Sequence, residues 1–330
     1  MSKHFNSVLV LLMLTTACSE NNDIINDQLK SYEFIEVEPK TDYFQKVSQH
    51  ETIIFNNKMW VIGGTSETGA VNNIWYSDDG EHWEKQATIG ETFSKRYSHQ
   101  TIVFNNQLYV IGGYSGIPGD RKNDIWSSYD GITWSQITTS AELFSGRYFH
   151  QVVFFNNKLF LIAGRSAELL NDIWSSSDGA NWEKESIPGQ IFSERANFQS
   201  VVFKNKLWVI GGVDKNGEYL NDIWSTSDGI NWVNEKTSGN IFSGRVGHQA
   251  LVFDNKLWII GGFNGNSPLN DIWISDNGVT WATPTINNLF TERFNHGCFI
   301  FNGSLWLIGG IGSGGFPNGL KEDIWTLREN

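Results

Sequence analysis

His248–Gly262 reads HQALVFDNKLWIIGG, and the chain carries this frame six times. Two short apolar runs, Leu251 to Phe253 and Leu257 to Ile260, flank Asp254-Asn255, a pair able to hold the positive φ of a tight hairpin turn. A glycine doublet follows. The same frame recurs at His50 to Gly64, His99 to Gly113, His150 to Gly164, Phe198 to Gly212 and His296 to Gly310, and each doublet starts thirteen residues after the slot that His248 occupies. The doublet positions Gly63, Gly112, Ala163, Gly211, Gly261 and Gly309 are 49, 51, 48, 50 and 48 residues apart. A period of that size marks a propeller or similar closed array.

Each copy runs on through a variable loop into a third apolar stretch: Ile74-Trp75, Ile125-Trp126, Ile173-Trp174, Ile223-Trp224, Ile272-Trp273 and Ile324-Trp325. Eight residues after each of the first five tryptophans comes another, at Trp83, Trp134, Trp182, Trp232 and Trp281, across a turn such as Ser177-Asp178-Gly179. That pattern predicts a second hairpin, so each copy is a four-stranded antiparallel blade. The sixth copy stops five residues after Trp325, without a fourth strand of its own. Phe34 stands sixteen residues before His50, as Trp83 does before His99. Residues 32–38 are therefore expected to complete the last blade and remove an open sheet edge.

The 330 residues include 15 Trp and 22 Phe among short runs broken by Gly, Asn and Asp, with weak helical periodicity, which reads as one all-β body. The net charge of −12, with no Lys/Arg cluster, argues against nucleic acid and against anionic membrane surfaces as partners. Cys18 and Cys298 form no disulfide framework, and Cys298 takes a slot held elsewhere by Thr52, Thr101, Val152, Ser200 and Ala250, as a small core residue would.

Residues 1–18 pass from a polar start with Lys3 through Val8 to Leu14 into Thr15-Thr16-Ala17-Cys18, an apolar run too short to span a bilayer but suited to export. This resembles a bacterial lipoprotein signal, with Thr15 where leucine is usual. The resemblance implies lipidation at Cys18 and a place in the cell envelope, anchored to the outer membrane. Residues 19–31, SENNDIINDQLKS, read as a flexible tether, leaving 32–330 for the propeller.

The glycine doublet, the later aromatic and tryptophan, and the Arg-x-x-His lead into the next copy are similar to kelch repeats over residues 32–327. The resemblance implies a six-bladed kelch-type β-propeller of the galactose-oxidase-like superfamily. The Ser-x-Asp-Gly-x-x-Trp turns also resemble a shortened Asp-box. Kelch propellers commonly serve as binding modules, which implies a monomeric, non-catalytic module for a protein or glycan, without cofactor or metal. Sialic acid mutarotases and sialidases supply the enzymatic alternative. Kelch-type copper oxidases are less similar, since they have seven blades and a cysteine crosslinked to tyrosine, whereas Cys298 sits in a core slot.

Length separates scaffold from site. Only the distance from the second glycine to the third-strand tryptophan drifts, through 11, 13, 10, 12, 11 and 15 residues. These loops and the crossovers between blades share one face, where function is expected. Arg96, Arg147, Arg195, Arg245 and Arg293 recur in the crossovers; equal placement marks them as structural, held by backbone carbonyls, rather than as a cationic collar. His50, His99, His150, His248 and His296 read as satisfied structural histidines, too far apart across a ring of blades to share a metal. The tryptophans all occupy repeat slots and read as core. No assembled nucleophile, base and orienting group is visible. Departures from the repeat are the better pointers, and they single out Tyr114, Phe149, Arg165, Asn197, Asp214, Phe263 and Asn295 as candidate ligand contacts.

Overall fold

A computed structural model describes residues 30–139 and 143–329. Residues 1–29, with Cys18 and nearly all of the expected tether, lie outside the described residues. Strand follows strand throughout, in blade sheets arranged around a central channel. Blade three shows the plan: Gln151–Phe155, Lys158–Arg165, Leu169–Ser176 and Glu183–Lys184 pair antiparallel in sequence order. The first strand lines the channel and the fourth lies at the rim.

The repeated turn pair does what its chemistry predicts. Asn156 and Asn157 hold φ of 47° and 63°, and Asp254 and Asn255 hold 48° and 56°, the left-handed values of a two-residue hairpin turn. At the other hairpin, Ser128 Oγ accepts the Gly131 N–H (2.8 Å), and Asp130 Oδ1 accepts the N–H groups of Ile132 and Thr133 (2.8 Å each). A Cβ on Gly131 would stand 2.4 Å from the Trp60 ring of the preceding blade, so this turn admits only glycine. The Asp-box-like turn is thus a joint between blades.

Among the described residues, six hydrophobic clusters fill the interfaces between neighbouring blades. Trp83, Trp182, Trp208 and Trp258 are among the largest fully buried side chains, as expected of core tryptophans. Cys298 packs against the cluster between blades five and six, and burial pushes its thiol well up.

Ser31–Val37 pairs antiparallel with the last strand, Leu320–Glu329, from Tyr32 opposite Glu329 to Val37 opposite Ile324. The ring closes as expected, one residue earlier than the sequence pattern indicates. Ser31 pairs with Thr285, and Lys30 bonds Asp254 at 2.6 Å, so the last two residues assigned to the tether belong to the body. Blade five departs from the plan, because its fourth strand shrinks to one bridge between Ile274 and Ala282. Pro284 lacks the N–H that a longer ladder needs.

Candidate functional site

The two sets of variable positions in the sequence are hydrogen-bonded neighbours. Residues just after the doublets pair with the crossovers: Tyr114 with Tyr97, Arg165 with Tyr148, Phe263 with Val246 and Ile311 with Phe294. Next in each crossover comes a residue with positive φ, at Gln49, Ser98, Phe149, Asn197, Gly247 and Asn295. Their backbones form a closed ring. Ser98 N–H donates to Gln49 O (2.9 Å), Phe149 to Ser98 (3.0 Å), Asn197 to Phe149 (3.1 Å), Gly247 to Asn197 (3.1 Å), Asn295 to Gly247 (2.7 Å) and Gln49 to Asn295 (3.0 Å). Asparagine and glycine suit this left-handed conformation. Phe149, at φ 54°, does not, and a bulky residue held there marks strain of the kind found at functional sites.

Beside this ring, between blades three and four, opens a cleft of about 360 Å³. Phe149, Arg165, Asn197 and Asp214 line it, so four of the seven candidates converge. Tyr114 reaches it indirectly, stacked on Tyr148 at 5.0 Å, which in turn contacts Phe149 at 5.2 Å. Phe263 touches Tyr219 at 5.9 Å, and Tyr219 lines the cleft. Asn295 lies apart, on the channel wall. The sequence pattern does not mark Tyr148, and it marks Tyr219 only as part of the variable loop from Val213 to Leu220. The one signal of Tyr148 was an aromatic type beside a candidate position, which gains meaning only when the loops fold together.

Asp214 spends its carboxylate on its own loop, where Oδ1 accepts the N–H groups of Asn216 and Glu218 (2.9 Å each) and Oδ2 accepts from Asn216 Nδ2 (3.1 Å). Burial acts to raise its pKa, but these donors outweigh it and hold the carboxyl below the usual range. The Arg165 side chain is exposed at the cleft mouth.

None of the five repeated arginines lines the cleft. Each is fully buried, and Arg147 is typical: Nε donates to Ser145 O (3.1 Å), Nη1 to Ala163 O (2.9 Å), and Nη1 and Nη2 clasp Asp172 at 2.6 and 2.9 Å. The guanidinium also lies over Phe144 at 5.6 Å. Burial would raise the Asp172 pKa, yet the Arg147 bonds outweigh it and hold the carboxyl low. These arginines are scaffold, as their equal spacing implies, and they supply no collar for an acidic sugar. The carbonyl contacts were expected; the carboxylate clasp was not.

The slot histidines require a correction. They are buried as expected, but His50, His99, His248 and His296 carry ring nitrogens with no hydrogen-bond partner among the described residues. Each ring instead packs on a doublet glycine of the preceding blade: a Cβ on Gly63 would lie 2.7 Å from His99 Cε1. Burial drives the pKa of His50, His150 and His248 down to about 3, so the ring wall is neutral. Below them sit Gln100, Gln151, Gln199 and Gln249, with Glu51 in the matching place of blade one. Burial pushes the Glu51 carboxyl up to about 8, and Gln100 Nε2 donates to it at 2.9 Å.

A family model described as the KLHDC2/KLHL20/DRC7 Kelch-repeats domain matches residues 15–164 and again 165–329. No curated protein matches the chain.

Proposed function

The chain belongs to the kelch-repeat family, and from that premise we propose that it is a non-catalytic binding module whose ligand is a protein segment held on the variable-loop face. One observation carries this reading. Two aromatic residues line the cleft between blades three and four, half-buried Phe149 and exposed Tyr219, and each is the end of a chain of ring contacts: Tyr97, Tyr114 and Tyr148 lead to Phe149, and Phe294 and Phe263 lead to Tyr219. Rigid aromatic anchors beside an exposed arginine are what protein interfaces use for affinity. Kelch propellers in general mediate protein interactions, which supports the same reading.

A glycan is the second reading. Tyrosine faces beside Arg165 and Asn197 offer stacking together with hydrogen bonds to hydroxyl groups. A sialidase-like reaction is not favoured, because the repeat arginines it would recruit are clasped by aspartates inside the blades.

We place the protein in the cell envelope as a monomer, exported by residues 1–18 and anchored to the outer membrane through lipid on Cys18. The apolar run ending in Thr15-Thr16-Ala17-Cys18 and the polar segment behind it support this reading. The test has two parts. Binding to peptide and glycan arrays is measured for the native chain and for Arg165→Ala and Tyr148→Ala; loss of the same hits in both variants supports the cleft, and unchanged hits overturn it. For the anchor, Cys18→Ser is expected to release the protein from the membrane fraction, and retention would overturn it.

A further inference from the structure

The arginine clasp is built into blades two to six, and blade one lacks it. The slot three residues after the crossover phenylalanine, filled by Arg96, Arg147, Arg195, Arg245 and Arg293, holds Val47, and the slot of the clasping aspartate holds Asn73. Both partners have changed together, from ions to neutral side chains.

The rest of the arrangement is kept. In blade two the Arg96 guanidinium lies over Phe93 (5.6 Å) and donates to the carbonyls of Ser94 (3.0 Å) and Gly112 (2.8 Å), while Asp124 also takes the Trp126 indole N–H (2.8 Å). The matching positions in blade one are Phe44, Gln45, Gly63, Asn73 and Trp75. All five, with Val47, line a single cavity of about 120 Å³. One water needs only about 10–15 Å³ of such space. The cavity shares Gln45, Ser66 and Thr68 with an adjoining surface pocket of about 290 Å³, bordered by Glu67, Glu322 and Lys46, the lysine lying 3.5 Å from Glu67. A cation approaching from solvent therefore meets carboxylates at the mouth and, inside, an aromatic face and carbonyl oxygens.

We infer that this cavity is a binding site for a guanidinium group. The five other blades show that a guanidinium satisfies this constellation. Val47 is shorter than arginine and leaves the space where the planar head would lie, with the carbonyls of Gln45 and Gly63 and the side-chain carbonyl of Asn73 as acceptors and the Phe44 ring beneath. Asn73 lacks the charge of Asp124, so the group is held reversibly, as a ligand requires. The site is distinct from the cleft between blades three and four. Its ligand is either a small guanidinium compound or an arginine side chain of a bound polypeptide.

The test uses the full chain and methylguanidinium, followed by ligand-observed NMR, with butylammonium as the control. Native protein is expected to bind methylguanidinium in preference to butylammonium. Asn73→Asp, which restores the carboxylate, is expected to tighten binding about ten-fold or more. The double variant Val47→Arg with Asn73→Asp rebuilds the clasp and is expected to abolish binding. Val47→Met, an apolar plug, serves should the double variant fail to fold, and is also expected to abolish it. A blocked arginine tripeptide, run in parallel, assigns the source: tighter binding than methylguanidinium indicates a protein side chain, weaker binding a small compound. No binding to the native and Asn73→Asp proteins, equal binding of butylammonium, or binding that survives Val47→Met would each overturn the assignment of a guanidinium site to this cavity. Arg165→Ala is expected to leave this binding unchanged, which separates the result from the fate of the cleft.

Discussion

Gln49 donates its backbone N–H to the carbonyl of Asn295 at 3.0 Å, and that bond joins the first crossover to the last. It completes a ring of six backbone hydrogen bonds at the channel mouth, which fixes the spacing of the blades independently of side chains. Any residue there must accept positive φ, and at two of the six positions, Phe149 and Asn197, the residue also lines the candidate cleft.

Phe149→Asn follows directly. Relief of a bulky side chain at φ 54° is expected to recover about 1 kcal/mol, so the variant should unfold at equal or slightly higher denaturant than the native protein. Truncating a phenylalanine that only packs costs about 3–5 kcal/mol. Equilibrium unfolding decides: a loss above about 2 kcal/mol would show that the phenyl ring holds the crossover together rather than serving the ligand.

Arg147→Ala is expected to cost about 3–5 kcal/mol, since it strands Asp172 beside the buried Ala163 carbonyl. Urea unfolding of Arg147→Ala beside Arg165→Ala provides the contrast, the second being a surface change expected to stay within about 0.5 kcal/mol.

The histidines make the fold acid-sensitive. Their pKa values in the folded state lie far below the ordinary 6.5, so the unfolded chain binds more protons, and the stability they confer is full above pH 6.5 and falls toward pH 3. Phe198 already fills the slot in blade four, so His248→Phe is tolerable there. It is expected to lower the slope of unfolding free energy against pH by about 1.4 kcal/mol per unit near pH 5.

Glu51 acts in the opposite direction. Its folded pKa of about 8 exceeds the ordinary 4.5, so the folded protein keeps a proton that the unfolded chain loses, and stability declines as pH rises from 4.5 toward 8. Glu51→Gln, which matches Gln100 and Gln151, is expected to raise the melting temperature at pH 8 by roughly 5 °C and to do little at pH 5. Melting curves at the two pH values check it.

Phe34→Ala tests the closure. Phe34 is fully buried and meets Phe290 edge-on at 5.0 Å, so the change is expected to cost about 3–5 kcal/mol. Deleting residues 30–37 goes further and exposes the edge of Leu320–Glu329, with dimerisation or aggregation expected by light scattering.

How much was legible in the sequence differs between frame and site. Blade count, hairpin turns and closure through Phe34 were readable because backbone geometry imposes them locally: a two-residue turn needs left-handed residues at fixed spacing, and a blade repeats its burial pattern. The candidate residues were reached through departures from that repeat, which is why Phe149, Arg165, Asn197 and Asp214 lie together. The same logic overlooked Tyr148, which breaks no pattern, and did not single out Tyr219 within its variable loop.

By itself the sequence determined the six-fold β array, the strand order within each blade and the face on which the chain varies, because these follow from period, turn chemistry and burial along the backbone. Tertiary structure alone decided that each arginine is clasped by an aspartate some 25 to 30 residues away, that histidines lie unpaired against glycines of the preceding blade, and that Val47 and Asn73 open a cavity. Those outcomes depend on contacts across blades and loops of drifting length, where distance along the chain no longer sets distance in space.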